Sequence, residues 1–333
     1  MRRVWRLVGL LLASVLLYVA AFSVLLDRPL SLGTLRETLE RKIAAASAMP
    51  PPRLIILAGS NALFSHSCAT IGAMLALPCV NGGVALGLGL DYQFALWKPV
   101  LRPGDNLYLP MELEQYARPL GAARTGPDAA LVLQQDRFLL VHLGIGRVLP
   151  ALFSGTMSDA VASVVEQAAV AFRPDLANPA FSDINGQGDG IGHSLLKARA
   201  NRVFLASLHR QDPSPAVIRD GYGRQEIAAF LHWARRHGVQ VIGGFPTEFA
   251  DNPSEPALGA TLAAIYTAEG ARFLPLAGEG RYPRADFFDA QDHLMTECQM
   301  RHSIRVADAL APFLGRAIQP PPAGATLLAA NCP

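Results

Sequence analysis

Residues 53–67 read RLIILAGSNALFSHS, and this stretch decides the fold. Residues 54–58 form a short, uninterrupted apolar run, the mark of a strand buried on both faces. Gly59-Ser60-Asn61 then turns the chain, and residues 62–75 carry a helical pattern. A strand that passes through a glycine turn into a helix puts the turn at the carboxyl edge of a sheet, where open α/β folds place their chemistry. Gly59 permits the sharp turn, and the first N–H groups of the helix point at the surroundings of Ser60.

The same alternation continues outward. Strands are expected over 78–81, 106–110, 239–243 and 271–275. Helices are expected over 92–100, 128–140, 161–171, 199–208, 224–237, 258–269 and 298–314. Short apolar strands separated by helices predict an α/β fold whose central parallel sheet is covered on both faces. Residues 118–211 are less regular and contain the polar, glycine-rich DINGQGDG at 183–190. This segment reads as a surface loop, with substrate or cation binding as the alternative. It lacks the acidic spacing of a calcium loop.

The N-terminus follows other rules. Arg2, Arg3 and Arg6 precede the uncharged residues 7–26. Twenty such residues make ~30 Å of helix, enough to cross a bilayer. The arginines favour the cytoplasmic side, which would leave the remainder exported. The expected layout is a cytoplasmic stub (1–6), a transmembrane anchor (7–26) and a stalk (27–52). The catalytic domain (53–316) and an extended tail (317–333) follow. The stalk holds an amphipathic helix over 32–46, with Arg36, Glu37, Glu40, Arg41 and Lys42 on its wet side, ended by Pro50-Pro51-Pro52. A cleavable signal peptide, cut near Val19-Ala20-Ala21, is the alternative, but its apolar region is normally only ~7–15 residues long.

A net charge of +2 gives no footing for a nucleic-acid partner. Hydrophobic residues make up 51 % of the chain, enough for a sizeable core. Cys68, Cys79, Cys298 and Cys332 allow three connectivities in an oxidising compartment, and buried free thiols at 68 and 79 are the other reading. No cysteine–histidine spacing marks a zinc site, and no metal or cofactor is expected.

Serine becomes a nucleophile when a base removes its proton and an acid orients that base. Ser60 has the position. Residues 287–294, FFDAQDHL, supply His293 as base with Asp289 or Asp292 as acid. An oxyanion hole needs N–H donors. The Ser60 N–H is one, and residues 80–87, VNGGVALG, offer Gly83 or Gly87. His66 and His302 read as polar helix residues, and His193, His209, His232 and His237 show no ligand spacing. Residues 245–248, FPTE, follow the fourth strand at the same sheet edge and are expected to wall the site.

These residues resemble the SGNH (GDSL-like) hydrolase superfamily. Gly59-Ser60-Asn61 is similar to its first motif block, and Asp289 with His293-Leu294 to its last, over about residues 53–314. The layout is similar to membrane-anchored, exported members that modify cell-surface polymers. Among these are the alginate and cellulose acetylation proteins, the teichoic-acid D-alanylation protein and the SGNH-like "X" accessory protein of cellulose synthase operons. The resemblance implies a three-layer sandwich with Ser60 as nucleophile, His293 as base and Asp289 as orienting acid. The superfamily often spaces the pair Asp-x-x-His, which would put the acid at Ala290; Asp289 stands one residue further away. The superfamily's third-block asparagine is missing, because residues 109–114 read LPMELE and offer Glu112. An ionised glutamate cannot donate a hydrogen bond, and losing one oxyanion donor typically costs ~10²–10³ in turnover. Either Asn61 or another group then supplies the third donor, or the hole has only two, and Glu112 is left to orient substrate or to cap a helix.

The resemblance implies a serine esterase or O-acyltransferase acting on acyl groups, acetyl foremost, of an exopolysaccharide such as cellulose. Its location would be the periplasmic face of a bacterial inner membrane. The alternative is a non-catalytic accessory protein that binds polymer, a membrane acyltransferase or a polysaccharide synthase complex.

Overall fold

The computed structural model describes residues 2–25, 28–30, 32–121, 127–177 and 184–333. They divide into two compact units. Residues 1–37, 87–95 and 121–182 belong to the first, and 38–86, 96–120 and 183–333 to the second.

In the first unit, helix α1 (Arg2–Leu25) carries the apolar stretch. Over Arg2–Ala21 its mean hydropathy is 2.1 and none of it is buried, so it is long and apolar enough to cross a membrane. Helix α2 (Leu32–Ala48) runs from the first unit into the second. Its later half is no free stalk. Leu39 and Ala46 are buried, and Lys42, expected on the wet side, is buried too. The Lys42 ammonium donates to the carbonyls of Asn81 (3.0 Å) and Gly188 (2.6 Å), and burial pushes its pKa down to about 7.

The second unit is α/β. Strands β1 (Leu54–Ile56), β2 (Cys79–Asn81), β3 (Asn106–Leu109), β4 (Gln240–Gly243) and β6 (Arg272–Phe273) form a small parallel sheet in the order β2-β1-β3-β4-β6. Strands β5 (Glu248–Phe249) and β7 (Arg281–Tyr282) pair separately. All five strands expected from the sequence are in the larger sheet. Ile55 lies opposite Val80 on one side and Leu107 on the other, and β1 is completely buried, as its unbroken apolar run requires. Arg53 and Asp105, which precede β1 and β3, form a fully buried bidentate pair at 2.9–3.0 Å that helps fix this register.

The strand order reverses at β1. One connection leads outward to β2, and the other side holds β3, β4 and β6. Ligands of open α/β sheets bind in the crevice beyond the carboxyl ends of the strands flanking such a switch point. Here that crevice lies between the turn after β1, with Ser60, and the segment after β3, with Glu112.

Three local expectations change. The helix expected over 62–75 is two helices, α3 (Ser60–Ser65) and α4 (Cys68–Leu75). Ser67 breaks it, because its hydroxyl accepts from the Thr70 N–H and caps α4. The loop expected at 183–190 is anchored over its described part, 184–190. The buried Asp189 carboxylate accepts from the N–H groups of Cys68 (2.6 Å) and Ala69 (3.0 Å), so it serves α4 rather than a ligand. The tail is not extended. Helix α5 (Thr296–Leu314) is followed by α6 (Ala323–Ala330), which packs on it. Two disulfides form, Cys68–Cys79 and Cys298–Cys332.

Candidate active site

Helix α3 starts at Ser60, with Gly59 before it, and Ser60 is half-buried. The first N–H groups of a helix have no partner inside it. Glu112 supplies one from beyond β3. Its Oε2 accepts from the Gly59 N–H and its Oε1 from the Asn61 N–H, both at 2.8 Å. The N–H of Ser60 lies between these two. Glu112 is completely buried. Burial, and secondly the charge of Asp292, hold its carboxyl well above the ordinary carboxylate range, against the opposing pull of the N–H bonds. The fit requires glycine at 59. A Cβ there would come within 2.5 Å of Glu112 Oε1 and 2.7 Å of the Leu86 backbone.

The acid and the histidine meet as the sequence predicts. His293 Nδ1 lies 2.6 Å from Asp289 Oδ1, while Asp292 Oδ1 is 3.8 Å from Nε2. Asp289 is therefore the acid bonded to the ring. Burial acts to lower the His293 pKa. The Asp292 charge, the Asp289 hydrogen bond and charge, and the Glu112 charge outweigh it, and the ring is held above its ordinary value. Nε2 is buried and makes no hydrogen bond, so the Ser60 hydroxyl is not bonded to it.

The histidine loop is fastened to α3. The hydroxyls of Ser65 and Thr247 lie 2.8 Å apart, and each lies 2.8 Å from the Asp292 carbonyl oxygen. The Leu294 N–H donates to Ser65 Oγ at 3.2 Å. The His293 ring rests 4.4 Å from that of Phe64, centroid to centroid. Phe64 lies one turn beyond Ser60, so both share one face of α3.

Two of the expected oxyanion donors, the Asn61 side chain and the Gly83 N–H, are engaged elsewhere. The Asn61 side chain is buried; its amide N–H donates to the Pro110 carbonyl (2.8 Å), and its oxygen accepts from the Thr247 hydroxyl (2.7 Å). It is a core clamp rather than a free donor. The Gly83 N–H donates to Asn81 Oδ1 at 3.0 Å, and that amide holds the Ala62 and His66 carbonyls. Gly83 is needed for packing, because a Cβ would meet Ala62 Cβ at 2.5 Å and Gly59 O at 2.6 Å. Gly87 falls in the first unit. Glu112 caps α3, accepting through both carboxyl oxygens.

Thr247 comes from the FPTE segment expected to wall the site, but its hydrogen bonds to Asn61 and Asp292 have no sequence signal. Neither does His193. It is buried against Phe64 and Phe288, its ring nitrogens are without hydrogen bonds, and burial pushes its pKa down to about 4. Beneath α3, His66 and His302 face each other through Nε2 atoms 3.2 Å apart, and the Tyr282 hydroxyl lies 2.7 Å from His302 Nδ1. Both histidines are fully buried. Burial pushes the His66 pKa down to about 3 and that of His302 well below its ordinary value.

The chain matches no protein-family model, no curated protein and no solved structure. Its chemistry is read from the geometry alone. An acid–histidine pair with an unbonded Nε2 can accept a proton, and its ring packs on Phe64, which shares a face of α3 with the half-buried Ser60.

Proposed function

We propose that the protein is an exported, membrane-anchored serine esterase or O-acyltransferase, with Ser60 as nucleophile, His293 as base and Asp289 as the acid that orients it. The 2.6 Å Asp289–His293 hydrogen bond, with Nε2 left unbonded beside the Ser60 helix, carries this reading. Ser60 takes an acyl group, and water or a sugar hydroxyl then accepts it. The polymer, an exopolysaccharide such as cellulose, and the periplasmic location rest on the resemblance to the SGNH superfamily and on the arginines at the start of α1. Glu112 bonded across the nucleophile turn supports slow turnover, since the neighbouring N–H groups are occupied.

That same occupation favours a second reading, a non-catalytic protein of this kind that binds polymer or a membrane acyltransferase. Ser60→Ala separates the two. In the esterase reading, the full chain in detergent slowly hydrolyses p-nitrophenyl acetate, and Ser60→Ala removes the activity because the covalent route is lost. Equal rates for wild type and Ser60→Ala, with polymer modification in cells unaffected by the substitution, would replace the esterase by the binding protein.

A further inference from the structure

Two helices of the first unit are inverted relative to a water-facing fold. They are Ile145–Leu152 and Met157–Phe172, bent by 70° at the break between them. Ile145, Leu149, Phe153, Met157, Val161 and Val165 recur every four residues, and each is at least 50 % exposed. The charged side chain of the first helix is inside. Arg147 is buried, 3.0 Å from Asp91 through Nε, and it also pairs with Asp128. Helices of water-soluble domains turn the apolar stripe inward and the charges outward. An apolar exterior over an ion-paired interior fits a lipid surround.

The contacts with α1 identify the occupant. The Tyr18 hydroxyl donates to the Gly155 carbonyl at 2.8 Å, in the break between the two helices, and its ring stacks on Phe153 with centroids 5.6 Å apart. Tyr18 lies near the end of the apolar span Arg2–Ala21, where tyrosines gather at a membrane boundary. Arg28, just past α1, bonds Glu166 at 3.2 Å and lies 3.7 Å from Asp159. Asp159 and Glu166 lie on the face of Met157–Phe172 opposite the apolar stripe, so the polar face is fastened to the segment that follows α1. The stripe is left to face outward at the level where α1 emerges.

We propose that the helices Ile145–Leu152 and Met157–Phe172 lie in the boundary layer of the bilayer that α1 crosses, with the stripe from Ile145 to Val165 in contact with acyl chains. Such helices sink ~5–10 Å into the boundary between headgroups and chains. The protein would then be held at the membrane surface by a broad apolar footing as well as by its anchor.

The test uses the full chain in phosphatidylcholine vesicles. Trp5 is first replaced (Trp5→Phe), leaving Trp97 and Trp233 as baseline. Leu149→Trp and Val161→Trp are added singly; both sites are exposed, so neither change loads the core. In vesicles whose phosphatidylcholine carries bromine high on the acyl chains, the added emission should be lost in both variants and the baseline kept. Added emission that survives bromine in both variants overturns the proposal. So does emission that responds to protein concentration rather than to bromine, which would put a second copy on the stripe. Release of the parent chain from vesicles by alkaline carbonate also overturns it, since α1 would then hold nothing in the bilayer.

Discussion

At Glu112 a carboxyl group stands where the proposed acyl transfer would want a hydrogen-bond donor, and its protonation is tied to folding. Its pKa in the folded chain is above that of an unfolded glutamate, ~4.3. The folded state therefore binds the extra proton, and the stability this contributes is complete below that value and is lost as pH rises through the higher, folded one. Glu112→Gln removes the titration. In urea unfolding, the stability of the variant relative to wild type should rise from about pH 4 to about pH 8. A difference that stays flat would mean that Glu112 is not held protonated. The histidines under α3 act in the opposite direction. His66 and His302 have depressed pKa values, so their contribution is complete above ~6.5 and is lost as pH falls below it. His302→Gln should weaken the acid-side loss, at most by ~1.4 kcal/mol per pH unit for one proton. An unchanged acid limb would show that His302 titrates normally.

Among the elements, β1 and α3 with the turn between them determine the site, and glycine sets their spacing. Gly83→Ala places a methyl group against Ala62 and the Gly59 carbonyl. Overpacking of this kind costs ~1–3 kcal/mol. The thermal midpoint should fall, and the proposed esterase activity should fall with it because α3 carries Ser60; an unshifted midpoint would refute the packing argument. These elements also mark what the sequence disclosed. The strands were legible because each is a short apolar run bounded by turn residues, and Asp289–His293 because the pair is only four residues apart. Asn61, Gly83 and Glu112 were visible as residues but not in their roles. Those roles depend on partners brought in by the sheet order: Pro110 and Glu112 after β3, Thr247 after β4. Ser67 looked like any helix residue until its hydroxyl was seen capping α4. Lys42 looked wet because helical periodicity assigns a face without saying which face is covered. Helix α6 was missed because the proline run at 320–322 reads as a stop, although it ends immediately before a helix.

At the scale of the molecule, the last bridge ties α6 to α5. It closes a separation of 34 residues, and losing such a constraint costs ~3–4 kcal/mol in the chain-entropy account. The double variant Cys298→Ser, Cys332→Ser should therefore unfold at a lower temperature; a midpoint equal to that of wild type would show the tail to be incidental. The position of this bridge also orders the two bridges under the proposed export. A chain crosses a membrane in order, and Cys332 follows the described strands and every residue of the candidate site. If the chain is exported as proposed, Cys68 and Cys79 can join while later residues are still on the cytoplasmic side, but Cys298 must wait for residue 332. In a pulse-chase, the second bridge should then appear only after the first.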